Sequence, residues 1–224
     1  TNADTFLEAG LMGTWTTNVL KVGKVMRSFT FEEGYTDLAQ YRSLTGAVVN
    51  TIGMTLGNSE YAKIDIGLVG KALGTWTATP LDTTPTAAAT GARFFHDGGV
   101  YKIAGTTVGT MTSLSWTLDH GMSPVFVLGS SAVAAYNPAP VLTLNGAASG
   151  LFDSVTEANK FIANTDSSIQ YQLIAGADSL DVKMSSISYT NVSYETDAGG
   201  VIVNFDFTAK YNSTDASSIV ITRV

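Results

Sequence analysis

The stretch "VIVNFDFTAKY", residues 201–211, alternates without a break. Val201, Val203, Phe205, Phe207, Ala209 and Tyr211 fall on one side, and Ile202, Asn204, Asp206, Thr208 and Lys210 on the other. A sustained period of two describes a strand with one face on a core and one in water. Its backbone N–H and C=O groups need partners, so more strands must flank it.

Working outward, the same period recurs. A strand is expected over 187–194, joined to the first by a turn at Asp197-Ala198-Gly199-Gly200. Phe29 and Phe31 alternate with Ser28 and Thr30; Ile52, Met54 and Leu56 share a face, as do Ile64, Ile66 and Leu68, and Leu114, Trp116 and Leu118. "RFFHDGGVYKIAG", residues 93–105, reads as a hairpin turning at Asp97-Gly98-Gly99. Residues 74–92, low in charge and rich in Thr and Ala, read as a linker or long loop.

Two segments break into helical spacing. Near the N-terminus Thr5 and Glu8 stand at capping-box distance, with Leu7 and Leu11 one turn apart; Gly10 and Gly13 limit that helix to about two turns. The sequence does not say whether this arm, residues 1–21, reaches into a neighbouring chain, but its apolar face and Trp15 make that worth testing. The stronger signal lies at about 155–163. There Ser154 and Glu157 form a capping box, Phe152 can staple onto Ala158, and Val155, Ala158, Phe161 and Ile162 share a face.

The composition agrees with many short strands. Of 224 residues, 45% are hydrophobic and 14% charged, enough to bury a core, and the 22 glycines supply turns. A formal charge of −7 with only 12 Lys and Arg opposes stable nucleic-acid binding, which needs clustered cations. Without cysteine there is no disulfide, thiolate metal site or thiol nucleophile. No apolar run is long enough to cross a bilayer as a helix.

A repeat suggests a division of the chain. "SFTFEEG" (28–34) and "SWTLDHG" (115–121) both read Ser, aromatic, Thr, apolar, acidic, variable, Gly. Val22-Gly23 precedes one and Val108-Gly109 the other; downstream, "GMTLGNS" answers "VLTLNGAAS" at nearly equal spacing. Duplication is the reading favoured, giving a first β module at 22–107 and a second at 108–224. Limited strand and turn chemistry offers a blander explanation.

Catalytic and metal motifs are missing. His96 and His120 sit beside acidic residues and glycines, where a lone histidine is expected to be solvated. Asp178 and Asp181 lack a calcium-loop pattern, and no nucleophile elbow or phosphate-binding loop occurs. No catalytic, cofactor or metal residues are assigned, and the protein is read as a non-enzyme. Trp116 is in phase with Leu114 and Leu118 and belongs to the core. Trp15, Tyr35, Trp76, Phe94, Phe95 and Tyr136 are the candidates for contacts between subunits.

At "EEGYTDLAQYRSLTGAVVNTIGMTL" and "SWTLDHGMSPVFVLGSS…LTLNGAASGLF", then the helix and "GGVIVNFDFTAKY", the chain resembles phage tail tube proteins of the long non-contractile-tailed (siphovirus) type. The resemblance spans about residues 4–224. It implies a mainly-β fold, a β-sandwich or flattened barrel with a short flanking helix, internally duplicated here. It also implies a structural virion protein, made in the host cytoplasm, that polymerises into stacked rings and forms the conduit for double-stranded DNA. Its partners would be copies of itself, the tail terminator, the tape measure and the tail tip, with no membrane. Two modules per chain favour a trimeric, pseudo-sixfold ring over a hexameric one. An acidic wall would let DNA pass without trapping its phosphates; Asp37, Asp65, Asp153 and Asp206 are candidates for the lumen or equally for the outer face. The alternatives are a terminator-type ring, or an adhesin- or lectin-like sandwich using Trp15, Trp76 and Tyr136.

Overall fold

A computed structural model describes residues 2–87, 91, 93–137, 141–152, 155–197 and 200–223. Of the residues singled out above, Asp153, Ser154 of the capping box, the turn residues Ala198 and Gly199, and residues 88–90 and 92 of the linker lie outside the described residues.

The elements run α1 (Asn2–Leu11), β1 (Val19–Lys21), β2 (Ser28–Tyr35), β3 (Gln40–Gly57), β4 (Lys63–Val69), β5 (Ala72–Leu73), β6 (Val100–Ile103) and β7 (Thr106–Thr107). There follow β8 (Met111–Asp119), β9 (Ser123–Phe126), β10 (Val133–Asn137), β11 (Thr143–Leu151), α2 (Thr156–Ile162), β12 (Ser167–Ala175), β13 (Asp178–Asp197), β14 (Gly200–Ala209) and β15 (Val220–Arg223). The fold is mainly β with short helices, as expected.

Pairing is antiparallel throughout, and two long strands organise it. The C-terminal part of β13 pairs with β14, which continues through β11, β8 and β3 to β4, making one six-stranded layer. The N-terminal part of β13 instead pairs with β12 and β15, and β6, β7 and β1 extend that second layer. A register shift between Tyr189 and Asn191 falls where β13 passes between the layers; bulges are the usual means of bending a strand this way.

The core lies between these layers. Leu114, Trp116 and Leu118 of β8 face it together with Ile52, Met54 and Leu56 of β3, their cross-strand partners. From the other layer come Ile169, Tyr171, Leu173, Val182 and Met184. In β14, Val203, Phe205, Phe207 and Ala209 are buried as the alternation demands, but the strand stops at Ala209 and Tyr211 is exposed. Residues from both 22–107 and 108–224 enter this one cluster. Ladders also cross the proposed division: β3 with β8 and β6 with β12. "SFTFEEG" occupies β2, on the rim, whereas "SWTLDHG" begins in β8, at the centre of the layer.

Three local expectations need correction. The helix α1 begins before Thr5, and the Glu8 carboxylate accepts the Trp15 backbone N–H at 2.8 Å and faces Arg27 at 3.3 Å. Its Leu7, Ala9 and Leu11 are buried in the chain's own core. The hairpin of residues 100–107 turns at Ala104-Gly105, both with positive φ, which suits a two-residue loop; residues 96–98 form a 3₁₀ turn instead. His120 is buried, not solvated: its Nε2 lies 2.7 Å from the Gly10 carbonyl, which can only accept, so Nε2–H donates.

Candidate assembly surfaces

Each strand of the six-stranded layer sends every second residue away from the core, and these form one broad face. Thr51 and Thr55 of β3 lie beside Ser113, Ser115 and Thr117 of β8. Asn145, Ala147 and Ser149 of β11 follow, then Asn204, Asp206 and Thr208 of β14. The side chains bond to one another across strands: Ser149 to Asn204 at 2.6 Å, Thr208 to Asn145 at 2.8 Å, and Asn191 to Asp206 at 3.1 Å. The face is thus a field of hydroxyls and amides, with an open depression of about 520 Å³ lined by Ser115, Thr117, Asn145, Ala147, Asp206 and Thr208 among others. Its charged members by register include Asp65, Asp119, Asp206, Glu195 and Asp197 against Lys63. At the rim the Asp166 carboxylate accepts from Lys210 at 2.8 Å and from Ser188, and these bonds hold it below the usual carboxylate range. Asp65 and Asp206 therefore share the face, as two of the four lumen candidates do by phase alone. Asp37 lies in the β2–β3 turn, away from it.

The layer has two bare margins. On its outer side β4 has no strand partner among the described residues, and neither does the C-terminal part of β13. Open edges of this kind pair readily with another chain. Six antiparallel strands alternate in direction, so β4 and β13 run oppositely.

One end of the layer carries two projections. The N-terminal part of β3 continues past β8 and pairs with β2 on one side and with β5 and Thr77 on the other, making an exposed arm. On this arm two of the sequence candidates meet. Tyr35 and Trp76 are 5.5 Å apart between ring centroids, and the Arg42 guanidinium lies 4.6 Å over the Trp76 ring. Arg42 and the Tyr35 hydroxyl both donate to Glu33, whose carboxyl they hold low. The second projection is the β9–β10 hairpin, a separate two-stranded sheet anchored where the Tyr136 hydroxyl donates to the Gly46 carbonyl at 2.6 Å.

The other candidates are scattered. Trp15 packs against the core beneath Arg223, which lies 4.3 Å over its ring and pairs with Asp4. Phe94 is half-buried against the core, and Phe95 meets Tyr61 edge to face at 5.1 Å. Sequence reading missed the exposed run Val125, Phe126, Val127 and Leu128. The signal was available: no charged residue stands between His120 and Asp153.

Nothing here has the look of a catalytic centre. Among the described residues no cluster of His, Asp and Glu could hold a metal ion, and no helix is long and apolar enough to cross a membrane. What the molecule offers is a polar face, bare strand edges and apolar projections, features suited to self-assembly. A family model described as phage tail tube protein matches residues 1–209. No curated protein matches the chain. The family is one of structural virion components, which points to a non-enzymatic role, and it implies self-assembly into a polymer that contacts other tail proteins. With a match across nearly all its length, the chain belongs to the phage tail tube protein family.

Proposed function

We propose that this chain polymerises into stacked rings forming the hollow tail tube of a long non-contractile-tailed phage, the conduit for DNA ejection. The polar face of the six-stranded layer lines the lumen. The observation carrying this reading is that face itself, polar and flanked by two bare edges. Because β4 and β13 run in opposite directions, a neighbour's β13 set beside β4 continues the antiparallel ladder. Closure of the ring then satisfies the open backbone groups of every subunit. A wall of hydroxyls and amides with a surplus of carboxylates gives duplex phosphates no cationic cluster to bind. The terminator, the tape measure and the tail tip are the partners at the tube's ends and interior.

Two ring sizes compete. A duplicated chain with modules at 22–107 and 108–224 gives a trimer with pseudo-sixfold symmetry. A chain that is one sandwich gives a hexamer, and a main core cluster drawn from both halves favours this second reading.

Electron microscopy of the concentrated protein tests the proposal. Long hollow tubes are the expected product, and the rotational symmetry of their cross-sections separates three chains from six. Isolated rings would assign the chain to a terminator role, and dispersed monomers would return it to an adhesin-like sandwich. For the lumen, Thr117→Cys should react with a small maleimide in assembled tubes but not with one carrying a bulky polymer. Equal reaction with both would place this face outside.

A further inference from the structure

Strand β8 carries a knob beyond one end and a pocket at the other. Beyond its C-terminal end, the β9–β10 hairpin exposes Val125, Phe126, Val127 and Leu128 in succession, with Leu128 fully exposed. The conformation of the turn enforces this. The Ser130 N–H bonds back to the Val127 carbonyl and Gly129 has φ +83°, so Leu128 occupies the outer corner of a tight turn. The hairpin joins neither layer. A run of apolar side chains held out on a structured turn marks a contact surface more than a chance exposure.

Around the N-terminal end of β8 lies a cavity of about 260 Å³, with Leu56, His96, Val100, Tyr101, Val108 and Met111 among its lining residues. No charged side chain contributes to it. Cavities of roughly 150 Å³ already admit a benzene-sized apolar group, so a leucine side chain fits. His96 Nδ1, on this lining, is buried and without a hydrogen-bond partner among the described residues. A buried polar atom of this kind calls for a partner, which a second copy seated in the cavity can supply. Beside the cavity the Leu151 N–H bonds to the Thr110 carbonyl, and exposed Leu151 and Phe152 extend the apolar surface.

We infer that Leu128 of one copy enters this pocket in a second copy, the polar groups of its turn reaching His96, so that subunits stack head to tail. The inference rests on the tube reading and supplies its axial contact. Knob and pocket are different surfaces at opposite ends of one strand, so the contact is heterologous and propagates without closing. Both surfaces are uncharged in an acidic protein, so this is where two copies meet without like-charge repulsion.

The absence of native cysteine permits a direct test. Gly109 lines the pocket, and a Cβ added there meets nothing within 4 Å, so Gly109→Cys is tolerated. Leu128→Cys protein mixed with Gly109→Cys protein, assembled and mildly oxidised, should give covalent dimers at least tenfold above either variant alone. The double variant should give a ladder of multimers. Dimers from Leu128→Cys alone would mean a twofold contact, and no cross-link within assembled tubes would mean a different stacking surface; either overturns the inference. Leu128→Asp should keep the fold and lose tube length, leaving short or single rings. Wild-type tube length in Leu128→Asp removes this contact while leaving the tube reading intact, whereas wild-type protein that never assembles removes both.

Discussion

The indole N–H of Trp116 donates to the hydroxyl of Tyr171 at 2.6 Å, joining the centre of one layer to the centre of the other inside the core. The Tyr171 oxygen also lies 3.2 Å from the Met54 sulfur. Both rings are almost completely buried, so this is a polar bond in an apolar interior, where an unpaired donor is expensive.

Tyr171→Phe removes the acceptor and leaves the Trp116 N–H stranded. A loss of about 1–3 kcal/mol is expected, read as a lower urea midpoint with unchanged slope. Trp116→Phe combined with Tyr171→Phe should recover part of that loss, because no donor then remains unpaired.

Burial pushes the Tyr171 hydroxyl far above its ordinary range, and burial together with the nearby Glu157 carboxylate does the same to Tyr189. A raised folded value means that the unfolded chain releases these protons first. The stabilisation is therefore complete below about pH 10, the unfolded tyrosine value, and declines as pH rises beyond it. Tyr171 alone contributes a slope of up to about 1.4 kcal/mol per pH unit. Melting temperatures measured between pH 8.5 and 11 should show the decline, and Tyr171→Phe should flatten it.

His120→Ala leaves the Gly10 carbonyl without its donor in the interior. Stability should fall by about 1–3 kcal/mol, with faster amide exchange concentrated in α1. Deleting residues 1–14 should give insoluble or unfolded chain, because Leu7, Ala9 and Leu11 belong to the subunit's own core. A folded, assembly-defective monomer would show that α1 serves a neighbour instead.

Gly146 faces the core between Trp116 and Phe207 on the adjacent strands. A Cβ there would stand within 3 Å of the Phe207 ring and at 2.6 Å from the Ser115 carbonyl oxygen, which is backbone and cannot rotate away. Gly146→Ala should cost about 1–3 kcal/mol through overpacking, measurable by thermal melting.

Asp65→Lys combined with Asp206→Lys reverses the charge of the polar face without touching the core. Tubes of the double variant should retain double-stranded DNA at low salt and release it as salt rises, while wild-type tubes retain none. Identical retention by the two would show that this face does not meet the DNA.

Much of this fold is written in local pattern. A period of two tells which side of a strand is buried, and it correctly put Trp116, Leu114, Leu118, Phe205 and Phe207 inside. The helix near 155–163 was equally legible, and among the described residues the Glu157 carboxylate of α2 binds Lys160, Ser167 and Tyr189. Sequence alone also determined the class, an acidic, cysteine-free, strand-rich chain resembling tail tube proteins.

Tertiary structure decided whatever depends on which strands are neighbours. Alternation assigns a face but not a partner, so nothing local announces that β13 serves two layers or that β4 and β13 are left as bare edges. His120 looks like a turn residue until the fold brings the Gly10 carbonyl to it, and Trp15 looks free until Arg223 covers it. Tyr35 and Trp76, far apart in the chain, meet only because β2 and Thr77 flank the same stretch of β3. Burial follows from each residue's own chemistry and phase, whereas edges, pockets and projecting turns arise from contacts between distant segments.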